Sequence, residues 1–325
     1  MTVTSFGCLI SERVHFKLHA NVWEDIPRGE DVASCGDDRK FDDVSVQSDS
    51  YRAKMEDVQL YSKSKALQMN TTKEILQSSK FVSKWKNHTD LRLLDIGCGD
   101  GEALVRLVLP LVPRYSSVLA IDILEPMIRA SRDSFGSVPR VSFRVFDIAT
   151  YDAAAIKHLG KFSHITSNFC LHWIKDQRQL FSNIFKLMLP GGQLMATLLL
   201  DTELSKAVRE LATMDKWAPF MENWRSYPSV YAQNAQCDYS IREQLELAGF
   251  EQIEVEIKLQ KFDFKRESQL KDFLQSVNPF VQRMPLCLKD EYINEFMIAC
   301  LKNMTKLKVT FEMIVLSAIR PTSFI

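Results

Sequence analysis

Asp95-Ile-Gly97-Cys-Gly99-Asp-Gly101 sets three alternating glycines behind a carboxylate, directly after the short apolar run Arg92–Ile96. Glycines so spaced let a backbone turn tightly and approach a ligand at the mouth of a sheet. Three later strand-sized runs also end in polar residues. Val118–Asp122 ends in Asp122, followed by Ile123; Val141–Phe146 is followed by Asp147 and Ile148; Phe162–Phe169 carries Asn168 at its end. A carboxylate at the end of a second strand can accept hydrogen bonds from both hydroxyls of a ribose. Asp147 and Ile148 can meet an adenine amino group and the face of the base, and Asn168 falls on the same edge. The pattern predicts a bound adenosine.

The carboxylate in the turn narrows the ligand. A nicotinamide-binding GxGxxG starting at Gly97 would need glycine at position 102, where this chain has Glu102. Asp95 would repel a pyrophosphate but attract the ammonium and sulfonium of S-adenosylmethionine. Each acid alone is more often a helix cap or a solvated loop residue. Three such residues, each at the end of a predicted strand, favour the cofactor reading.

The elements that must position these residues are a series of apolar runs, completed by Gln193–Leu200 and separated by helical segments. Pro126 suits a first helical turn, Asp176 can cap a helix running to Met188, and Pro190-Gly191-Gly192 stops it. The βαβ alternation predicts a doubly wound α/β fold, with a parallel sheet covered on both faces. Further on, Ser240–Ala248 reads as a capped helix ending at Gly249, and Glu251–Leu259 as a sixth strand with Ile253, Val255, Ile257 and Leu259 on one face. The alternation from Leu307 to Val315 predicts a last strand at the sheet edge. Segments 201–239 and 262–306 are expected to be mostly helical caps. Residues 1–54 carry many acids and few large aliphatics, which predicts a disordered extension. A helical pattern starts near Met55.

Composition excludes several classes. The 325 residues suit one elaborated domain, and 41 basic against 41 acidic side chains leave nothing to attract nucleic acid or anionic membrane. Seven cysteines form no CxxC pair, so neither a metal site nor a disulfide framework is expected, and a reducing, cytoplasmic setting is. No apolar run approaches the roughly 18 residues of a membrane span. Homo-oligomerisation is not indicated.

Leu94-Asp-Ile-Gly-Cys-Gly-Asp-Gly101 resembles motif I of class I methyltransferases, and Leu189-Pro-Gly-Gly192 resembles the turn before their fifth strand. Cys170-Leu-His-Trp173-Ile-Lys-Asp-Gln-Arg178, Tyr61 with Gln68, and Ser276-Val-Asn-Pro-Phe280 resemble the arthropod juvenile hormone acid O-methyltransferase family, from about Met55 to the end. The resemblance implies a Rossmann-like, mostly parallel seven-stranded sheet with an antiparallel C-terminal strand. It also implies S-adenosylmethionine as cofactor, a small apolar carboxylic acid as substrate, and Gln68 and Trp173 as the residues that orient it. Lys65 departs from the family, which usually has a small polar residue there, and this bears on which acid is used.

Side-chain chemistry agrees with that assignment. A carboxylate acceptor, with an unperturbed pKa of about 4 to 5, is already ionised and needs no general base. It needs orientation by donors that do not neutralise it, and an amide and an indole N–H are uncharged donors. The aromatic residues Trp217, Phe220, Trp224, Tyr227 and Tyr231, with Met221, suit either an apolar acceptor pocket or the packing of an insertion. A helix over about 55–90 would form a lid. Two other functions stay open: a methyltransferase for hydroxyl or carbon acceptors, with His172 as base, and a cofactor-binding protein without turnover.

Overall fold

A computed structural model describes residues 57–83, 85, 90–112, 114–302, 304 and 306–322. The extension expected over 1–54 lies outside the described residues. Seven strands form one sheet in the order β3-β2-β1-β4-β5-β7-β6. They span Leu91–Ile96, Tyr115–Asp122, Val141–Val145, Phe162–Asn168, Met188–Leu199, Glu251–Asp263 and Lys308–Ile319 for β1 to β7. The first five are parallel, and β7 runs antiparallel to both β5 and β6. The fold is the expected doubly wound α/β sheet with an antiparallel C-terminal strand.

Period-two alternation divides the core between the two faces. Leu93, Val118 and Ala120 join one apolar cluster, while their neighbours Leu94, Leu119 and Ile121 join the other. The expected lid helix over about 55–90 is broken into α1 (Val58–Ser64), α2 (Ala66–Ser78) and α3 (Lys80–Ser83), of which α2 and α3 cover part of the first face. The buried Leu67, Ile75 and Leu76 of α2 each contribute roughly 1.5–3 kcal/mol. On this face also lie α7 (Glu203–Leu211), α9 (Glu267–Val277) and α10 (Leu286–Leu301). The other face takes α5 (Ala153–Leu159), α6 (Gln177–Leu187) and α8 (Cys237–Ala248), whereas α4 (Glu125–Phe135), between β2 and β3 in the chain, packs on the first face through Ile128 and Phe135. Among the described residues no helix is long and apolar enough to cross a membrane.

Four elements differ from expectation. The last strand is not at the edge: β7 lies between β5 and β6, and β6 is the edge strand. The alternation over Leu307–Val315 covers only half of β7; its second half is buried without a break from Met313 to Ala318, as a strand covered on both faces requires. On β6, Ile253 and Val255 pack against the core, but Ile257 and Leu259 are 47% and 58% exposed. Strand β5 starts at Met188 and includes Pro190-Gly191-Gly192, because Gly191 N–H donates to Arg320 O (2.8 Å) and Arg320 N–H to Gly192 O (2.9 Å). The segment after the glycine turn is a π-helix over Leu104–Val108 and a 3-10 turn over Leu109–Leu111, where Pro110 lacks the N–H a regular helix would use.

Candidate active site

Strand order reverses between β1 and β4, and the crevice at the carboxyl ends of the strands there is where open α/β sheets bind ligands. The glycine turn leaves β1 at this point. Gly97, Gly99 and Gly101 all have positive φ (73°, 54° and 80°), a backbone region costly for any residue with a side chain. The N–H groups of Gly97 and Cys98 donate to Ile121 O (2.8 and 3.0 Å), which ties the turn to β2. Cys170, at the end of β4, presses against Gly97 so closely that a Cβ there would lie 2.2 Å from its Sγ.

Asp122 ends β2 and faces the same turn: its Oδ2 accepts from Gly99 N–H (2.9 Å) and its Oδ1 from Leu124 N–H (3.0 Å). Burial pushes this carboxyl up, opposed in part by those backbone donors. Each oxygen keeps a lone pair for a ribose hydroxyl. Asp95 is 4% exposed, and its Oδ1 accepts from Thr166 Oγ1 at 2.6 Å. Burial raises its pKa to about 7 against the Thr166 bond, and among the described residues no cation pairs with it. A buried carboxylate without a cation, beside a cradle that tolerates no side chain, fits an ammonium- and sulfonium-bearing adenosyl ligand.

The other predicted cofactor residues follow the same strand ends. Ile123 is half-buried directly after β2, and Asn168 is half-buried at the end of β4, its Oδ1 accepting from Thr197 Oγ1 (3.3 Å). Asp147 is exposed after β3, its Oδ1 bonded to Ala149 N–H (2.8 Å). The Ile148 side chain, 5% exposed, packs in the core.

Beside the turn lies an apolar cavity on whose wall Gln68, Phe169, His172, Trp173, Tyr227 and Phe273 meet. It brings together Gln68 from α2 and Trp173 from the 3-10 turn Leu171–Trp173, residues distant in the chain. The Gln68 Oε1 is buried and has no hydrogen-bond partner among the described residues. The Trp173 ring lies between His172 (centroids 4.7 Å apart) and Tyr227 (5.5 Å). His172 is 1% exposed, and its Nδ1 accepts from Leu199 N–H at 3.3 Å, so the neutral ring carries its proton on Nε2.

Of Trp217, Phe220, Met221, Trp224, Tyr227 and Tyr231, only Tyr227 lines this cavity. Trp217 is fully buried and donates to Glu295 Oε2 (2.6 Å), and Tyr231 belongs to the opposite face, donating to Gln177 Oε1 (2.8 Å). Packing explains these rings. The rest of the wall includes Leu204, Val309 and Phe311, which like Phe273 carry no local signal of their role.

Fold, glycine turn and strand-end acids define a class I methyltransferase with S-adenosylmethionine as its cofactor, and residues 94–194 match the methyltransferase domain family. The YcgJ protein of Bacillus subtilis shares the fold, with a TM-score of 0.51 over 78% of this chain and 100% of its own at 11% identity. The juvenile hormone acid O-methyltransferase of Bombyx mori is 30% identical over 242 residues, covering 74% of this chain and 85% of the relative. That of Drosophila melanogaster is 28% identical over 243 residues, covering 74% and 82%. The chain belongs to the juvenile hormone acid O-methyltransferase family.

Asp122→Ala is expected to weaken the binding of S-adenosylhomocysteine by about 1–3 kcal/mol, the scale of hydrogen bonds to a charged group. Titration calorimetry on a folded variant measures this, and an unchanged affinity would remove Asp122 from the ribose site.

Proposed function

We propose that this protein methylates the carboxylate of a small apolar acid, such as a juvenile hormone acid, farnesoic acid or a similar lipid acid, to its methyl ester. The observation that carries the reading is the pairing of Gln68 and Trp173 on one apolar wall beside the glycine turn, with the amide oxygen of Gln68 unpartnered. A half-turn of that amide presents its NH₂ group at the same place, so the residue can orient a carboxylate without neutralising it. The names of the two insect relatives point to the same acceptor class.

S-adenosylmethionine supplies a methyl group made electrophilic by its sulfonium. The residues of this chain hold and orient: Asp122 and the glycine turn fix the adenosyl end, Asp95 attracts the cationic end, and the apolar wall keeps water from the acceptor. No residue has to remove a proton, because the acid enters ionised. The geometry of His172 agrees, since a ring with Nδ1 bonded to Leu199 N–H and its proton on Nε2 is placed as a donor rather than a base. Bound at the glycine turn, S-adenosylmethionine would supply its methyl group to the acid oxygen and leave as S-adenosylhomocysteine.

Labelled S-adenosylmethionine and a panel of apolar acids with their matching alcohols and phenols test this. Label should appear in base-labile methyl esters of the acids and not in ethers. Turnover confined to alcohols or phenols would install the hydroxyl-acceptor reading, and binding without turnover of any acceptor the non-catalytic one.

A further inference from the structure

The helical segment over the glycine turn breaks at Lys65. This residue ends α1 and precedes α2, with φ −75° and ψ 14°. Its side chain is almost wholly buried, with 7% of its surface exposed, and its ammonium contacts the carboxylates of Asp100 and Glu102, the latter at 2.7 Å. A buried cation is costly unless paired, and two carboxylates meet that need here. Both belong to the turn that cradles the cofactor: Asp100 sits between Gly99 and Gly101, and Glu102 follows.

Two neighbours in α1 reach the same place. Ser62 Oγ donates to Asp100 Oδ2 at 2.7 Å, and the Tyr61 ring lies 3.6 Å from where a Cβ on Gly99 would stand. Lys65 Nζ is 5.9 Å from the centroid of that ring. Three side chains within five residues therefore grip the backbone between Gly99 and Glu102. Gln68 follows Lys65 by three residues, on the same side of the first turn of α2. Met69 N–H donates to Lys65 O at 3.0 Å, so that turn is built directly on the gripped residue.

We propose that Lys65 is a positioning residue that makes the order of the Gln68 segment depend on the state of the cofactor turn. Its ion pairs lock the junction of α1 and α2 onto Asp100 and Glu102. A ligand that stills the turn stills the start of α2 as well, and the acceptor wall becomes ordered when the cofactor site is filled. The role of Gln68 in acceptor binding rests on the function proposed above; the lock itself does not.

Hydrogen exchange across residues 60–76, with and without S-adenosylhomocysteine, reads the lock apart from activity. In the cofactor-free protein Lys65→Gln should speed exchange there by roughly tenfold or more, since it breaks a buried ion pair, while β1 and β4 keep their protection. Ligand should slow exchange over 60–76 in the native protein and lose most of that effect in Lys65→Gln. The KM for the acid should rise more than the Kd of S-adenosylhomocysteine. Unchanged exchange in Lys65→Gln, in both states, overturns the proposal. Should that variant not fold, Glu102→Gln removes one arm of the lock at a partly exposed carboxylate, and native exchange there is equally fatal. Faster exchange in Lys65→Gln together with a silent Gln68→Ala would leave the lock standing and refute only the acceptor role of Gln68.

Discussion

Gly97→Ala is expected to remove detectable binding of S-adenosylhomocysteine and to lower the thermal midpoint. At φ 73° a residue with a Cβ costs about 1–2 kcal/mol before any contact is counted. The added carbon would also lie 2.2 Å from Cys170 Sγ and 2.4 Å from Cys170 Cβ. The second of these atoms is held by its own backbone, so β4 and the turn must move apart. Overpacking of this kind costs roughly a further 1–3 kcal/mol. The displacement falls on the N–H groups that tie the turn to Ile121 and on the Gly99 N–H bonded to Asp122, the groups that shape the cradle. Calorimetric titration and a thermal melt on the same sample measure both effects. Cys170→Gly in the Gly97→Ala background should recover part of the affinity, because it removes the collision but not the backbone strain. Native affinity in Gly97→Ala would mean that the turn does not cradle the cofactor.

Gln68→Ala and Trp173→Phe are expected each to lower turnover on the order of a hundredfold, the effect of misplacing a reacting atom by about 1 Å. Affinity for S-adenosylhomocysteine should stay near native, because neither residue belongs to the glycine turn or its acids. If both donors hold one carboxylate, the double variant should lose less than the product of the two single losses. His172→Ala separates orientation from proton removal. It leaves Leu199 N–H without an acceptor and takes a ring from beside Trp173, so it should cost stability more than turnover. Single-turnover rates with a fixed acid, alongside thermal melts, distinguish the cases. A folded His172→Ala protein without activity, beside a fully active Gln68→Ala protein, would end the carboxylate mechanism.

Much of the candidate cofactor site is legible because its signals are local. Alternating glycines after an apolar run define the turn by their own backbone freedom, and the ends of the next parallel strands must fall on the same edge of the sheet. Asp122 is the clearest case: strand and turn meet as expected, through the bond from Gly99 N–H. Gln68 and Trp173 were marked by the motifs around them, since neither residue type signals a role by itself.

What the sequence determined by itself is what depends on neighbours in the chain: the strand and helix series, the doubly wound fold it dictates, the cradle and the acids around it. Tertiary structure alone decided where distant segments meet. Strand order is set by which surfaces are left to cover, so β7 enters between β5 and β6, and its alternating first half could not reveal a second half buried on both faces. The cavity wall draws Gln68, Trp173, Phe273 and Phe311 from four separate elements, whereas the aromatic run in 201–239, which suits a pocket or packing equally in the sequence, is largely spent on packing. Lys65 shows the difference most directly. In the sequence it stands out only as a departure from the family, and only the fold brings Asp100 and Glu102 close enough to bury it.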